Sequence, residues 1–165
     1  MLVSDVALAV MIAGLWYFAY ATSFFWLVKT YLIPYLIVNF WLVTITELQH
    51  TDQKLPHYNN DQWNWLKGAL CTIDRDYGIL NTVFHHIGDT HVLHHLFSKI
   101  PHYHAEEATK AVKTVLGRYY MKDTTPILRA LYQSFVSCVY VEADEQKVLW
   151  FKSIEEIMKE KSKAQ

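Results

Sequence analysis

Residues 6–28 read VALAVMIAGLWYFAYATSFFWLV, 23 residues without a charge. At about 1.5 Å per helical residue this run can cross the roughly 30 Å hydrocarbon layer of a bilayer. A buried helix of a soluble core is the alternative reading of the same composition. A secretory leader fits less well, because Met1-Leu-Val-Ser-Asp5 carries no basic start. A second uncharged run, Tyr31 to Thr46 (YLIPYLIVNFWLVTIT), contains Pro34, which suits the first turn of a helix. The two runs predict transmembrane helices over about 6–28 and 31–48, joined near Lys29 into a hairpin that makes residues 1–50 the membrane part.

Charge is distributed to match. Fourteen of the fifteen Lys and Arg follow His50, and the first 46 residues carry only Asp5 and Lys29. The positive-inside rule then places everything after His50 in the cytosol. A net charge of −1 gives no electrostatic reason to expect nucleic acid as a partner. Cys71 and Cys138 are distant in sequence and outside any CxxC pattern, so they read as ordinary buried thiols. No internal repeat or low-complexity segment occurs.

Along the remainder, Asp61 is a candidate N-cap for a stretch holding Trp63, Trp65, Leu66 and Leu70. Tryptophans beside charged residues after a span suit a helix at headgroup level, or packing on a soluble subdomain. Gly78 breaks the pattern before a histidine-dense segment that Pro101 closes. Residues 105–116 (AEEATKAVKTVL) place acids early and lysines late, with Gly117 at the C-cap position. Pro126 starts another helix through about Ser137, and residues 138–141 alternate like a short strand. Residues 152–165 read as a charged, frayed tail. The expected fold is an all-α membrane protein: a transmembrane hairpin followed by a mostly helical cytosolic cap, residues 51–151.

That cap carries the chemistry. Seven of the nine histidines fall between His85 and His104, and His91-Val-Leu-His94-His95 sets three of them at i, i+3 and i+4, on one helical face. Such spacing arises by chance in histidine-rich chains, but ionisable groups beside a membrane are costly unless they serve a site. Neutral imidazole is the common ligand of iron and zinc, so His91, His94 and His95 are the candidate metal ligands. Spacing alone does not choose between the two metals.

From IVNFWLVTITELQHTD through LPHYNNDQWNWLKGALCTIDRDYGILNTVFHHIGDTHVLHHLFSKIPHYHAEEATKAVKTVLGRYY to CVYVEAD, roughly residues 30–151, the chain resembles the plant membrane-bound fatty acyl desaturases. The similarity is to the oleate (omega-6, delta-12) group with its hydroxylase, epoxygenase, conjugase and acetylenase relatives. HVLHH resembles that family's third histidine box. The resemblance implies that His91, His94 and His95 ligate a di-iron centre, with His50 as an additional ligand, or else as an interfacial histidine held by a turn. Glu47, one turn before His50, and Asp89, before the box, are candidates to accept hydrogen bonds from ligand imidazoles. His57, His102 and His104 match flanking positions of the family and take structural or supporting roles. His85 and His86 precede the box without a firm assignment.

The resemblance further implies two irons activating dioxygen with electrons from cytochrome b5, to insert a cis double bond at position 12 of a phospholipid-linked oleoyl chain. It places the protein in the endoplasmic reticulum membrane as a multi-pass protein with its histidine box facing the cytosol, possible homo- or hetero-oligomers with other desaturases included. Departures matter as well. The first two histidine boxes do not occur in these 165 residues, and the similarity covers only the C-terminal portion of a desaturase. Three or four histidines do not hold two irons in the family manner. The chain therefore reads as a fragment that is inactive without the missing boxes. A divergent activity such as acetylenation, or a non-catalytic membrane subunit, is the competing expectation.

Overall fold

A computed structural model describes residues 2–163. They are mostly helical, and the chain divides into two units between Val43 and Thr44.

In the first unit, α1 runs over Leu2–Ala21 with no buried side chain. Two helical stretches, Leu2–Ala21 and Phe24–His50, are long and apolar enough to cross a membrane. A helix exposing apolar side chains all round suits hydrocarbon, where its backbone groups are satisfied internally.

The break between the stretches differs from expectation. It falls at Thr22 and Ser23, not near Lys29. Thr22 Oγ1 donates to the Phe18 carbonyl, and Ser23, in extended conformation, accepts from the Trp26 N–H as N-cap of α2 (Phe24–Leu27). Hydropathy alone passes over these two small uncharged residues. Lys29 lies inside a continuing π-helical turn, Val28–Leu32, with its ammonium 5.3 and 5.2 Å from the ring centres of Phe25 and Trp26. The next helix, α3, is Ile33–His50. Pro34 explains the wide turn, since a proline ring clashes with the carbonyl four residues back and a π-bulge relieves the clash.

The second unit starts in the last turns of α3. Short elements follow: β1 (His57–Tyr58), α4 (Trp65–Ala69), β2 (Asp74–Arg75), α5 (Leu80–Val83) and α6 (His91–Leu96). The longer α7 (His102–Leu116) ends at Gly117, whose φ of 51° is left-handed as a C-cap glycine requires. Then come β3 (Lys122–Asp123), α8 (Ile127–Ser137), β4 (Tyr140–Ala143), β5 (Val148–Lys152) and α9 (Ile154–Lys163).

Three expectations change here. The unit is not all-α: β1, β5 and β4 form an antiparallel sheet in that order, and β2 pairs with β3 in parallel. The N-cap of α4 is Asn64, whose Oδ1 accepts from the Lys67 N–H at 2.9 Å, in place of Asp61. Residues 154–163 of the supposed frayed tail are helical, and the last two residues of that tail lie outside the described ones. Ser153 and Glu156 form a reciprocal capping box, Ser153 N–H to Glu156 Oε2 at 2.8 Å and Glu156 N–H to Ser153 Oγ at 3.2 Å.

The core of this unit joins Leu48, Tyr77 and Ala130, with Ile45, Leu80, Phe84, Ile127 and Leu131 packed around them. Leu48 is fully buried. Leu48→Ala should therefore lower unfolding stability by about 2–5 kcal/mol. The exposed Leu128→Ala should change it by no more than about 0.5 kcal/mol; denaturant titration in detergent micelles compares the two. A second expectation concerns Cys138, whose thiol is pushed up to about 11 by burial and by the carboxylates of Asp52 and Glu47. Its thiolate fraction at pH 8 is then roughly 200-fold below that of an unperturbed thiol, offset only in part by the greater nucleophilicity of a basic thiolate. Iodoacetamide should alkylate native Cys138 at least about tenfold more slowly than the denatured chain, with the rate rising up to pH 10.

Candidate metal centre

The three-histidine triangle is built from two helices. His50 closes α3, and His91 and His95 stand one turn apart on α6. His91 Nε2 lies 3.3 Å from His50 Nε2 and 3.2 Å from His95 Nε2. One nitrogen from each of the three rings falls within 4.8 Å of the other two.

The remaining ring nitrogens fix the tautomers. His50 Nδ1 is 3.2 Å from the Cys71 carbonyl, and His91 Nδ1 is 3.1 Å from the Ile87 carbonyl. A carbonyl only accepts, so both Nδ1 atoms carry protons, and in the neutral rings that a metal requires both Nε2 atoms present lone pairs. Two lone pairs facing at 3.3 Å repel, and a cation shared between them reverses the sign. Electrostatics agree. Burial, then His95, His50 and His94, lower the His91 pKa to about 3, and burial, then His50 and His94, lower His95 to about 4. Both rings are neutral at pH 7, the state a metal requires. The donor set therefore fits one divalent ion, with coordination positions left for further ligands.

The other predicted residues are placed elsewhere. His94 is exposed and turns to a cleft of about 250 Å³ that also takes His85 and His102. The His85 and His102 ring centres are 4.5 Å apart. Asp89 meets His86 Nδ1 at 3.1 Å, and with Glu106 these form a second, more exposed group. Glu47 accepts from Ser134 Oγ at 2.7 Å, so the part expected of it toward His50 falls to the Cys71 carbonyl. His104 lies on the exposed side of α7, 4.0 Å from Glu107. His57 sits in β1 with its ring edge-on to Phe151, and burial, then His50, lower its pKa.

Residues that sequence reasoning passes over hold the triangle. Asp74, fully buried, accepts from the Val92 N–H at 2.7 Å and from the Tyr120 hydroxyl. Burial raises its carboxyl to about 6, against hydrogen bonds from Tyr120 and Val92. Arg75 Nε donates to the Leu48 carbonyl at 2.6 Å, and its two terminal nitrogens meet Asp123 and Asp52. The Gly88 carbonyl accepts from both Arg75 N–H and Gln49 Nε2, each at 2.8 Å. The signal in the sequence is an adjacent acid and base, Asp74-Arg75, directly after the uncharged Cys71-Thr72-Ile73.

A sequence profile of the family "Fatty acid desaturase" matches residues 1–126, most of the chain. The chain belongs to the fatty acid desaturase family. Over 155 residues this desaturase-family chain is 56% identical to the omega-6 fatty acid desaturase, endoplasmic reticulum isozyme 1, of Glycine max, covering 92% of the chain and 40% of that relative. It is 58% identical over 133 residues to a delta(12)-oleate desaturase of Trichosanthes kirilowii, covering 78% of the chain and 36% of the relative. Similarity extends to an oleoyl-12-hydroxylase of Ricinus communis, 52% identical over 132 residues, 78% of the chain and 34% of the relative. The chain thus spans about 40% of the length of the curated relatives it matches.

One glycine is required by packing at this centre. A Cβ on Gly88 would lie 2.7 Å from the Tyr77 ring and 3.3 Å from the Arg75 carbonyl. Gly88→Ala should displace the segment leading into α6, costing about 1–3 kcal/mol of stability. Thermal unfolding and one-to-one Co(II) titration of the variant should both move, whereas an exposed change such as Tyr103→Ala should move neither.

Proposed function

We propose that this chain is the C-terminal part of a membrane fatty acyl desaturase of the delta-12 type, and that His50, His91 and His95 supply part of its iron ligand set. The observation that carries this reading is the convergence of three imidazoles, two with their Nδ1 atoms committed to carbonyls. In the whole enzyme the two apolar stretches form a hairpin in the endoplasmic reticulum membrane, with the histidines on the cytosolic side. Further ligands, His94 among them, complete a two-iron centre. Phospholipid-linked oleoyl chain and dioxygen are the substrates, cytochrome b5 is the electron donor, and other desaturases are possible assembly partners.

Bound iron would supply the oxidising power to break an unactivated C–H bond, which no side chain provides. The protein's own contribution is geometric and electrostatic. The Cys71 and Ile87 carbonyls orient two imidazoles, and burial keeps the His91 ring unprotonated and away from water. A related oleoyl-12-hydroxylase at similar identity makes hydroxylation the second reading, separable by product.

The test expresses the chain in yeast alone and fused behind a desaturase segment carrying the first two histidine boxes, with fatty acid methyl esters read by gas chromatography and mass spectrometry. A 9,12-dienoic product only in the fusion, abolished by His91→Ala, is expected. A hydroxylated, conjugated or acetylenic product would reassign the reaction within the family. No new product from a fusion that is well expressed and retains iron would overturn the catalytic reading in favour of a non-catalytic membrane subunit.

A further inference from the structure

We propose that Asp74 and Arg75, neighbours on the two-residue strand β2, are positioning residues that set the distance between the helix end bearing His50 and the helix bearing His91 and His95. The inference rests on the reading of those histidines as metal ligands.

Strand geometry sends successive side chains to opposite sides. Asp74 points to the start of α6, where Thr90 gives no side-chain cap. Its Oδ1 instead takes the Val92 N–H, and its Oδ2 takes the Tyr120 hydroxyl. The first turn of α6 is therefore held from outside the helix, next to His91. Arg75 points to the end of α3 and donates to the carbonyl of Leu48, two residues before His50.

Further bonds tie the same strip to the end of α3 and to the segment leading into α6. Ile73 N–H and Thr72 Oγ1 donate to the Gln49 carbonyl at 3.1 and 3.0 Å. Arg75 N–H donates to Gly88, three residues ahead of His91. Four consecutive residues, Thr72 to Arg75, thus contact the chain beside every member of the triangle except His95, which comes one turn of α6 after His91. Asp74 is fully buried and Arg75 is 3% exposed, so neither is free to relax its partners. Ligand placement within about 0.5 Å depends on such locked supports.

The test uses the full chain in detergent micelles, Co(II) as the probe ion, and three readouts: affinity, ligand-field spectrum, and helicity with thermal midpoint to fix the folded fraction. Wild type should bind one Co(II), and His91→Ala should lose it. Asp74→Ala should weaken affinity per folded molecule by about 10- to 100-fold and alter the spectrum. Asp74→Asn, which keeps an acceptor for Val92 and a partner for Tyr120, should restore most of both. Tyr120→Phe removes one hydroxyl from an otherwise intact fold and should shift the spectrum with a smaller affinity loss, which keeps the test decisive should Asp74→Ala not fold. Arg75→Lys should weaken binding in the same way by releasing Leu48.

Wild-type affinity and spectrum in folded Asp74→Ala or in both Tyr120→Phe and Arg75→Lys, with His91→Ala defective, would overturn the positioning role and leave the metal reading standing. Co(II) binding unaffected by His91→Ala would overturn the metal reading and this inference with it.

Discussion

A single buried guanidinium constrains much of the second unit. A guanidinium carries a full positive charge, and burying that charge unpaired costs several kcal/mol. Its donors are placed on the Leu48 carbonyl, Asp52 and Asp123. Each acceptor belongs to a different piece of chain: the end of α3, the loop after it, and β3. Moving any of them would leave part of a buried ion without a partner. The position of the Leu48 carbonyl, and with it the His50 backbone, is held by this requirement together with the packing of the buried Leu48 side chain.

The histidines illustrate why composition and site are different things. The histidines differ by what surrounds their rings. Those whose Nδ1 finds a main-chain carbonyl, His50 and His91, turn their Nε2 atoms toward each other. His86 meets the carboxylates of Asp89 and Glu106 and belongs to another group. His94, sharing a helix with His91 and His95, lines an outer cleft. On a six-residue helix the i+3 and i+4 directions diverge enough that one spacing serves two surfaces.

Much of this is legible in the sequence where local chemistry decides. The helix ending at Gly117 and the one starting after Pro126 both reflect backbone preferences of those residues. The apolar stretches are visible by charge, but their boundary is not, because Thr22 and Ser23 break a helix by hydrogen bonding and not by polarity. The S-x-x-E pattern of Ser153 and Glu156 is readable but outweighed by the charge of the tail. Strand β5 pairs across a turn whose Lys147 has a φ of 61°, an unusual value for a lysine that sequence does not announce. At the centre, spacing finds His91 and His95, and resemblance finds His50. Asp74 and Arg75 escape both, since their roles depend on partners 18 to 48 residues away.

The π turn at Val28–Leu32 has a wider implication. A π-bulge is a one-residue insertion that the helix absorbs without unwinding, and each extra residue rotates the downstream helix by about 100°. Residues before and after it therefore obey separate helical wheels. Within the first unit, an apolar or small-residue face traced from Phe24 at a constant period is out of phase beyond Leu32, and the orientation of Asn39 and its neighbours up to Val43 about the helix axis follows from the turn that Pro34 imposes.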